Sequence, residues 1–143
     1  MCLIVDECNA LVAEEDMTCY KVYMYLEYRD EYISPFRLDR IEKFNKVIYV
    51  PKFLDLIDGN IVYLGFHTFC NEKDAKCFEA LNPFYKVFKC VIPKGSKYYK
   101  GIIDSTPEQF IPGYCSEALI VLSDNIKTSL LEKLKKFLSN LFL

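Results

Sequence analysis

The sequence predicts an α+β fold: a mostly antiparallel, strongly twisted sheet with one mid-chain helix and a C-terminal amphipathic helix. Three observations lead there. Short runs with a two-residue apolar period dominate most of the chain, as in Tyr20, Val22, Met24, Leu26 and Tyr28. Helical spacing appears at Ala75, Phe78 and Leu81, and again from Asn125 to the end. The resulting order, a run of strands, a helix, further strands and a last helix, does not alternate as βαβ units do, so a parallel doubly wound sheet is disfavoured.

Taken in order, Cys2 to Val5 reads as a short strand, and the acid-rich stretch to Met17 as a solvated connection. The alternating run from Tyr20 to Tyr28 is the clearest strand, closed by a turn at Arg29-Asp30-Glu31. Tyr32 to Phe36 pairs back until Pro35, which has no backbone N–H to give, interrupts it. Val47 to Val50 and Ile61 to Leu64 are strands, separated by an Asp58-Gly59-Asn60 turn. Asn71 is the N-cap of a helix with Glu72 and Asp74 in its positive first turn, stopped by Asn82-Pro83.

Tyr85 to Ile92 is the next strand, Pro93 to Ser96 a turn, and Lys97 to Tyr99 a short strand. Asp104 to Gly113, with Pro107 and Pro112, reads as a loop, and Ala118 to Leu122 as a central apolar strand. In the C-terminal helix, Ile126, Leu130, Leu131, Leu134, Phe137, Leu138, Leu141 and Phe142 form one apolar stripe. At 143 residues the chain fits one domain with a real core.

Charge and thiols exclude several function classes. With 18 basic and 20 acidic residues, the chain lacks the footprint of a generic nucleic-acid binder. The sign is uneven: eight acids lie between Met1 and Glu31, and five Lys without an acid between Lys86 and Lys100. Edge lysines that discourage sheet-to-sheet pairing account for the second stretch. Seven cysteines are an odd number with no CxxC pair, so they read as reduced thiols in a cytoplasmic protein. Cys19 and Cys90 sit in apolar runs, where a thiol behaves as a small hydrophobe. His67, the one histidine, cannot build a conventional zinc set with Cys70 and Cys77, so no metal is expected. No apolar run reaches membrane-spanning length, so no integral membrane association is expected.

The stretch from Gly65 to Leu122 carries a resemblance. Gly65-Phe66-His67-Thr68-Phe69 precedes the helix, a strand leads into Val91-Ile92-Pro93-Lys94-Gly95-Ser96-Lys97, and Cys115-Ser116-Glu117 precedes the apolar run Ala118 to Val121. This ordering resembles the second half of the ADP-ribosyltransferase family of toxins and toxin-like enzymes. Those proteins carry a Gly-Phe-x-Ser-Thr-Ser strand, a helix, a strand ending in Ile-Pro-Lys-Gly, and a Glu-x-Glu before an apolar strand. The resemblance covers less than half of the chain, and its Ile-Pro-Lys-Gly element is structural.

The family cleaves the nicotinamide–ribose bond of NAD through an oxocarbenium-like state, using a cation on pyrophosphate, a bracing hydroxyl and a carboxylate near the ribose. The resemblance implies Glu117 as that carboxylate, Thr68 as the hydroxyl, and His67 beside it on ribose or phosphate. It implies Lys21 on the phosphates, where the family has Arg, with Arg37 or Arg40 as a supplement. Lys keeps the charge and loses the bidentate fork. Cys115 stands where the family has its second carboxylate.

A second comparison starts at Met1-Cys2. Met removal would expose an N-terminal Cys, as in amidotransferases beginning Met-Cys-Gly, whose α-amine activates its own thiol. Leu3 replaces that Gly here. The whole chain also resembles small uncharacterised bacterial and phage proteins, through Glu14-Glu15-Asp16-x-x-Cys19-Tyr20-Lys21-Val22, the Gly65-Phe66-His67-x-Phe69 centre and the Ile92-Pro93-Lys94-Gly95 strand end. The expected function is a non-catalytic accessory or binding protein of phage or mobile-element type, acting on a macromolecular partner or a nucleotide. The alternatives are an NAD-dependent ADP-ribosyltransferase with altered site residues and an N-terminal-Cys amidohydrolase.

Overall fold

The computed structural model describes residues 2–35, 41, 43–104 and 110–123. Eleven strands and one helix occupy them: β1 (Cys2–Ile4), β2 (Leu11–Val12), β3 (Met17–Leu26), β4 (Glu31–Ile33), β5 (Val47–Tyr49), β6 (Ile61–Val62), β7 (Phe66–Phe69), α1 (Glu72–Glu79), β8 (Tyr85–Ile92), β9 (Lys97–Asp104), β10 (Ile111–Ser116) and β11 (Ala118–Val121). The main path of the sheet runs β5-β11-β8-β3-β7-β10-β9-β1-β6, with β4 added to β3 and β2 to β9. Every paired register is antiparallel.

The expected class, α+β, is corrected to a mostly β fold. Eleven strands stand where eight were expected, and the described residues contain a single eight-residue helix. The C-terminal amphipathic helix proposed from Asn125 onward lies outside the described residues. The antiparallel pairing and the mid-chain helix are as expected, although Asn71 makes no side-chain cap and instead bonds Asp74.

Two strand readings failed for identifiable reasons. Lys97 to Tyr99 is the start of an eight-residue strand, continued past a Gly101 that offers no apolar side chain to the pattern. The loop read at Asp104 to Gly113 ends inside β10, because Pro112 and Gly113 disguise a strand. Pro112 is tolerated near the start of β10 because its nitrogen faces the end of the β7 ladder. Its carbonyl accepts the Cys70 N–H, just past the last residue of β7, so the return donor that proline lacks is lost only at the terminal rung. Ala118 to Val121, expected to be central, lies one strand in from the β5 edge.

Each face of the sheet carries its own core. On one, Val22, Phe69, Val87, Tyr99, Ile103 and Cys115 are buried with Ala75 of α1 and with Ile57 and Val62. On the other, Cys19, Tyr23, Phe66, Phe88, Cys90, Leu119 and Val121 are buried together. Edge-to-face contacts of Phe88 with Tyr23 and Tyr32, centroids 5.8 and 4.9 Å apart, tie β8 to β3 and β4. No helix among the described residues is long and apolar enough to cross a membrane.

Candidate functional site

Strands β3, β7, β10 and β9 are consecutive neighbours, so their registers fix which side chains form a row. Tyr114 stands opposite Thr68 on β7 and opposite Lys100 on β9. The Tyr20–Phe69 pair sets Lys21 alongside Thr68, one step along. Opposed residues of antiparallel strands share a face, so Lys21, Thr68, Tyr114 and Lys100 form one row. Cys115 stands opposite both His67 and Tyr99, and those three form a row on the other face.

The His67 row is closed. The His67 ring places Nε2 3.0 Å from the Val62 carbonyl and Nδ1 3.2 Å from that of Gly65. The Cys115 thiol donates to the Leu64 carbonyl at 3.2 Å and lies 3.9 Å from Nδ1. The ring and the thiol thus touch three carbonyls from the end of β6 to Gly65, the ring N–H donating to one of the two within its reach. Gly65 makes this possible: its φ is +131°, and a Cβ there would sit 2.5 Å from Cys115 Sγ. Tyr99 donates its hydroxyl to the Leu54 carbonyl at 2.7 Å.

The Lys21 row is built differently. Lys21 is 6% exposed, and its Nζ donates to the His67 carbonyl at 2.9 Å and lies 5.5 Å from the Tyr23 ring centroid. The Thr68 hydroxyl is fully buried and makes no hydrogen bond of acceptable geometry among the described residues, although the Cys19 thiol lies beside it. Burial pushes that thiol up to about 12, against the opposing influence of Thr68 and Lys21. The Tyr114 hydroxyl is also pushed up, first by burial and then by Cys70. Lys100 ends the row exposed to solvent.

Beside Lys100 the sheet edge opens. β9 pairs with β2 through Lys97 and Tyr98 and with β1 from Ile102 on, so the chain between β1 and β2 bows away in between. A cavity of about 470 Å³ fills this gap, lined by Asp6, Glu7, Asn9, Lys100, Ile102 and Pro112 among others.

The sequence-derived site residues are therefore only partly gathered. Lys21 and Thr68 are neighbours on one face. His67 points to the opposite face. Glu117 sits between β10 and β11, where its Oε1 accepts the Lys97 N–H at 2.9 Å. Its backbone bonds Lys97 and Val50, so it braces the crossing from one half of the sheet to the other. Arg37 lies outside the described residues. Cys2 is a half-buried member of β1, opposite Asp104. Among the described residues no group of three metal-ligating side chains is placed to hold an ion.

Sequence reasoning missed Tyr114, Lys100 and the Asp6–Asn9 rim. The first two could have been found from alternation within Ile111–Ser116 and Lys97–Asp104, once those segments were read as full strands. The rim depends on a gap between two short strands, for which no local pattern exists. Comparisons with protein families, with curated proteins and with solved structures give no match.

Proposed function

We propose that the chain is a non-catalytic nucleotide-binding domain, an intracellular accessory protein of phage or mobile-element type, whose ligand sits at the Lys100 end of the Lys21 row. The observation that carries this is the cavity at the β9 edge. Its volume is in the range of small-ligand sites. Lys100 supplies a cation for phosphate, while Asp6, Glu7 and Asn9 supply acceptors for sugar hydroxyls or an exocyclic amine. Catalysis is disfavoured because the Glu117 carboxylate is engaged with the Lys97 N–H and His67 faces away from Thr68. The test is calorimetric titration with ADP and with NAD. Binding that is lost in Lys100→Ala and weakened in Asp6→Asn supports the reading; no heat with either nucleotide refutes it.

A second reading, an ADP-ribosyltransferase with altered residues, is favoured by one observation. Lys21 and Thr68, the cation and hydroxyl that the resemblance implies, are cross-strand neighbours on one face. Release of nicotinamide from NAD, abolished by Glu117→Ala, would establish it over the first.

A further inference from the structure

Three cysteines stand in one row across adjacent strands. Cys19 on β3 is paired with Cys90 on β8. Cys70 directly follows Phe69, the partner of Tyr20, and therefore faces Cys19 from the end of β7. Its N–H donates to the Pro112 carbonyl at 3.2 Å, continuing the β7–β10 ladder by one residue. Opposed residues of antiparallel strands have Cα atoms roughly 4.5–5.5 Å apart, inside the roughly 4.4–6.8 Å that a disulfide spans. Cys19 and Cys90 are fully buried, whereas Cys70 is partly exposed.

The row crosses the thinnest seam of the sheet. β3 pairs with β8 continuously from Met17 to Met24, but its register with β7 is the single pair Tyr20–Phe69. On one side lie β5, β11 and β8 with β3; on the other, β7, β10, β9, β1 and β6.

We propose that Cys70 and Cys19 form a thiol-oxidation site, in which a small-molecule disulfide reacts at Cys70 and Cys19 then closes a cross-strand disulfide over the β3–β7 seam. In the first step the Cys70 thiolate attacks one sulfur of oxidised glutathione. One glutathione thiolate leaves, and a mixed disulfide remains on Cys70. Cys19 then attacks Cys70 Sγ and expels the second glutathione, whose sulfur takes up the proton that Cys19 gives up. Two protein thiols are oxidised and one glutathione disulfide is reduced to two thiols. Burial raises both cysteines, with Lys100 opposing it at Cys70 and Lys21 at Cys19. The second step is therefore the slower, and its rate rises with pH.

The test treats the full chain with oxidised glutathione, alkylates remaining thiols in acid, and maps peptides by mass spectrometry. The expected product links Cys19 to Cys70, leaves Cys90 alkylated, and raises the melting temperature by roughly 10 °C, because the closed loop is long. Cys19→Ala should stop at a glutathione adduct on Cys70, while Cys90→Ala should still crosslink. A persistent Cys70 adduct in the unsubstituted chain, an unmodified Cys70, or a Cys19–Cys90 link would overturn the proposal. The map of the unsubstituted chain decides even if Cys19→Ala fails to fold.

Discussion

The two faces of the central strands carry rows of polar side chains, one drawn from β3, β7, β10 and β9 and the other from β7, β10 and β9, yet they do opposite things. On the His67 face, the imidazole and the Cys115 thiol are matched to carbonyls of one connection, and the row serves to fix that connection. On the Lys21 face, a buried hydroxyl lacks a well-formed hydrogen bond and the last residue, Lys100, opens on a cavity. The difference teaches that residue type alone does not mark a site. The histidine, the most reactive-looking residue in the sequence, belongs to the structural row, and an ordinary lysine and tyrosine belong to the one with room for a ligand.

The largest expected effect comes from raising pH. The Cys19 thiol ionises at 9.0 in its reference state and at about 12 in the fold, so the folded form favours the neutral thiol. This contribution is intact below pH 9 and disappears as pH rises through about 12. The linked loss is on the order of 4 kcal/mol, and Cys90 and Tyr114, raised in the same direction, add to it. Urea unfolding between neutral and alkaline pH should show this loss, and Cys19→Ala should reduce it to the part that Cys90 and Tyr114 carry. A curve unchanged by that substitution would mean that burial does not hold the thiol neutral.

Next in size is His67→Ala, which removes the ring N–H that serves the Val62 or the Gly65 carbonyl and opens a cavity. A loss of about 3 kcal/mol is expected, whereas Lys100→Ala should change stability by less than about 0.5 kcal/mol. Equal losses would erase the contrast between the faces. A smaller effect of opposite sign belongs to Thr68→Val, which removes a buried hydroxyl while keeping the side-chain shape. Stabilisation of about 1 kcal/mol is expected. Destabilisation would mean that the hydroxyl has a partner, and the Lys21 row is as closed as the other.

Strand identity was legible wherever alternation was unbroken, as in Met17–Leu26 and Tyr85–Ile92. It failed at Pro112, whose place in a strand depends on its lying at the last rung of the β7 ladder. Fold class failed with it, since every strand hidden behind Pro or Gly shifted the balance toward helix. The candidate site was half legible. Lys21 and Thr68 are brought together, but their adjacency follows from the β3–β7 register, and His67 is turned away by the alternation that seats its neighbour. Glu117 could not be read from sequence as a brace, because its partner, the Lys97 N–H, is a backbone group with no signature.

The most direct test of the central claim is titration of NAD into the protein, with the nucleotide recovered afterwards and analysed. A nucleotide-binding domain without catalysis predicts heat that disappears in Lys100→Ala, with NAD recovered intact. Free nicotinamide in the recovered sample, absent when Glu117 is replaced by Ala, would contradict it.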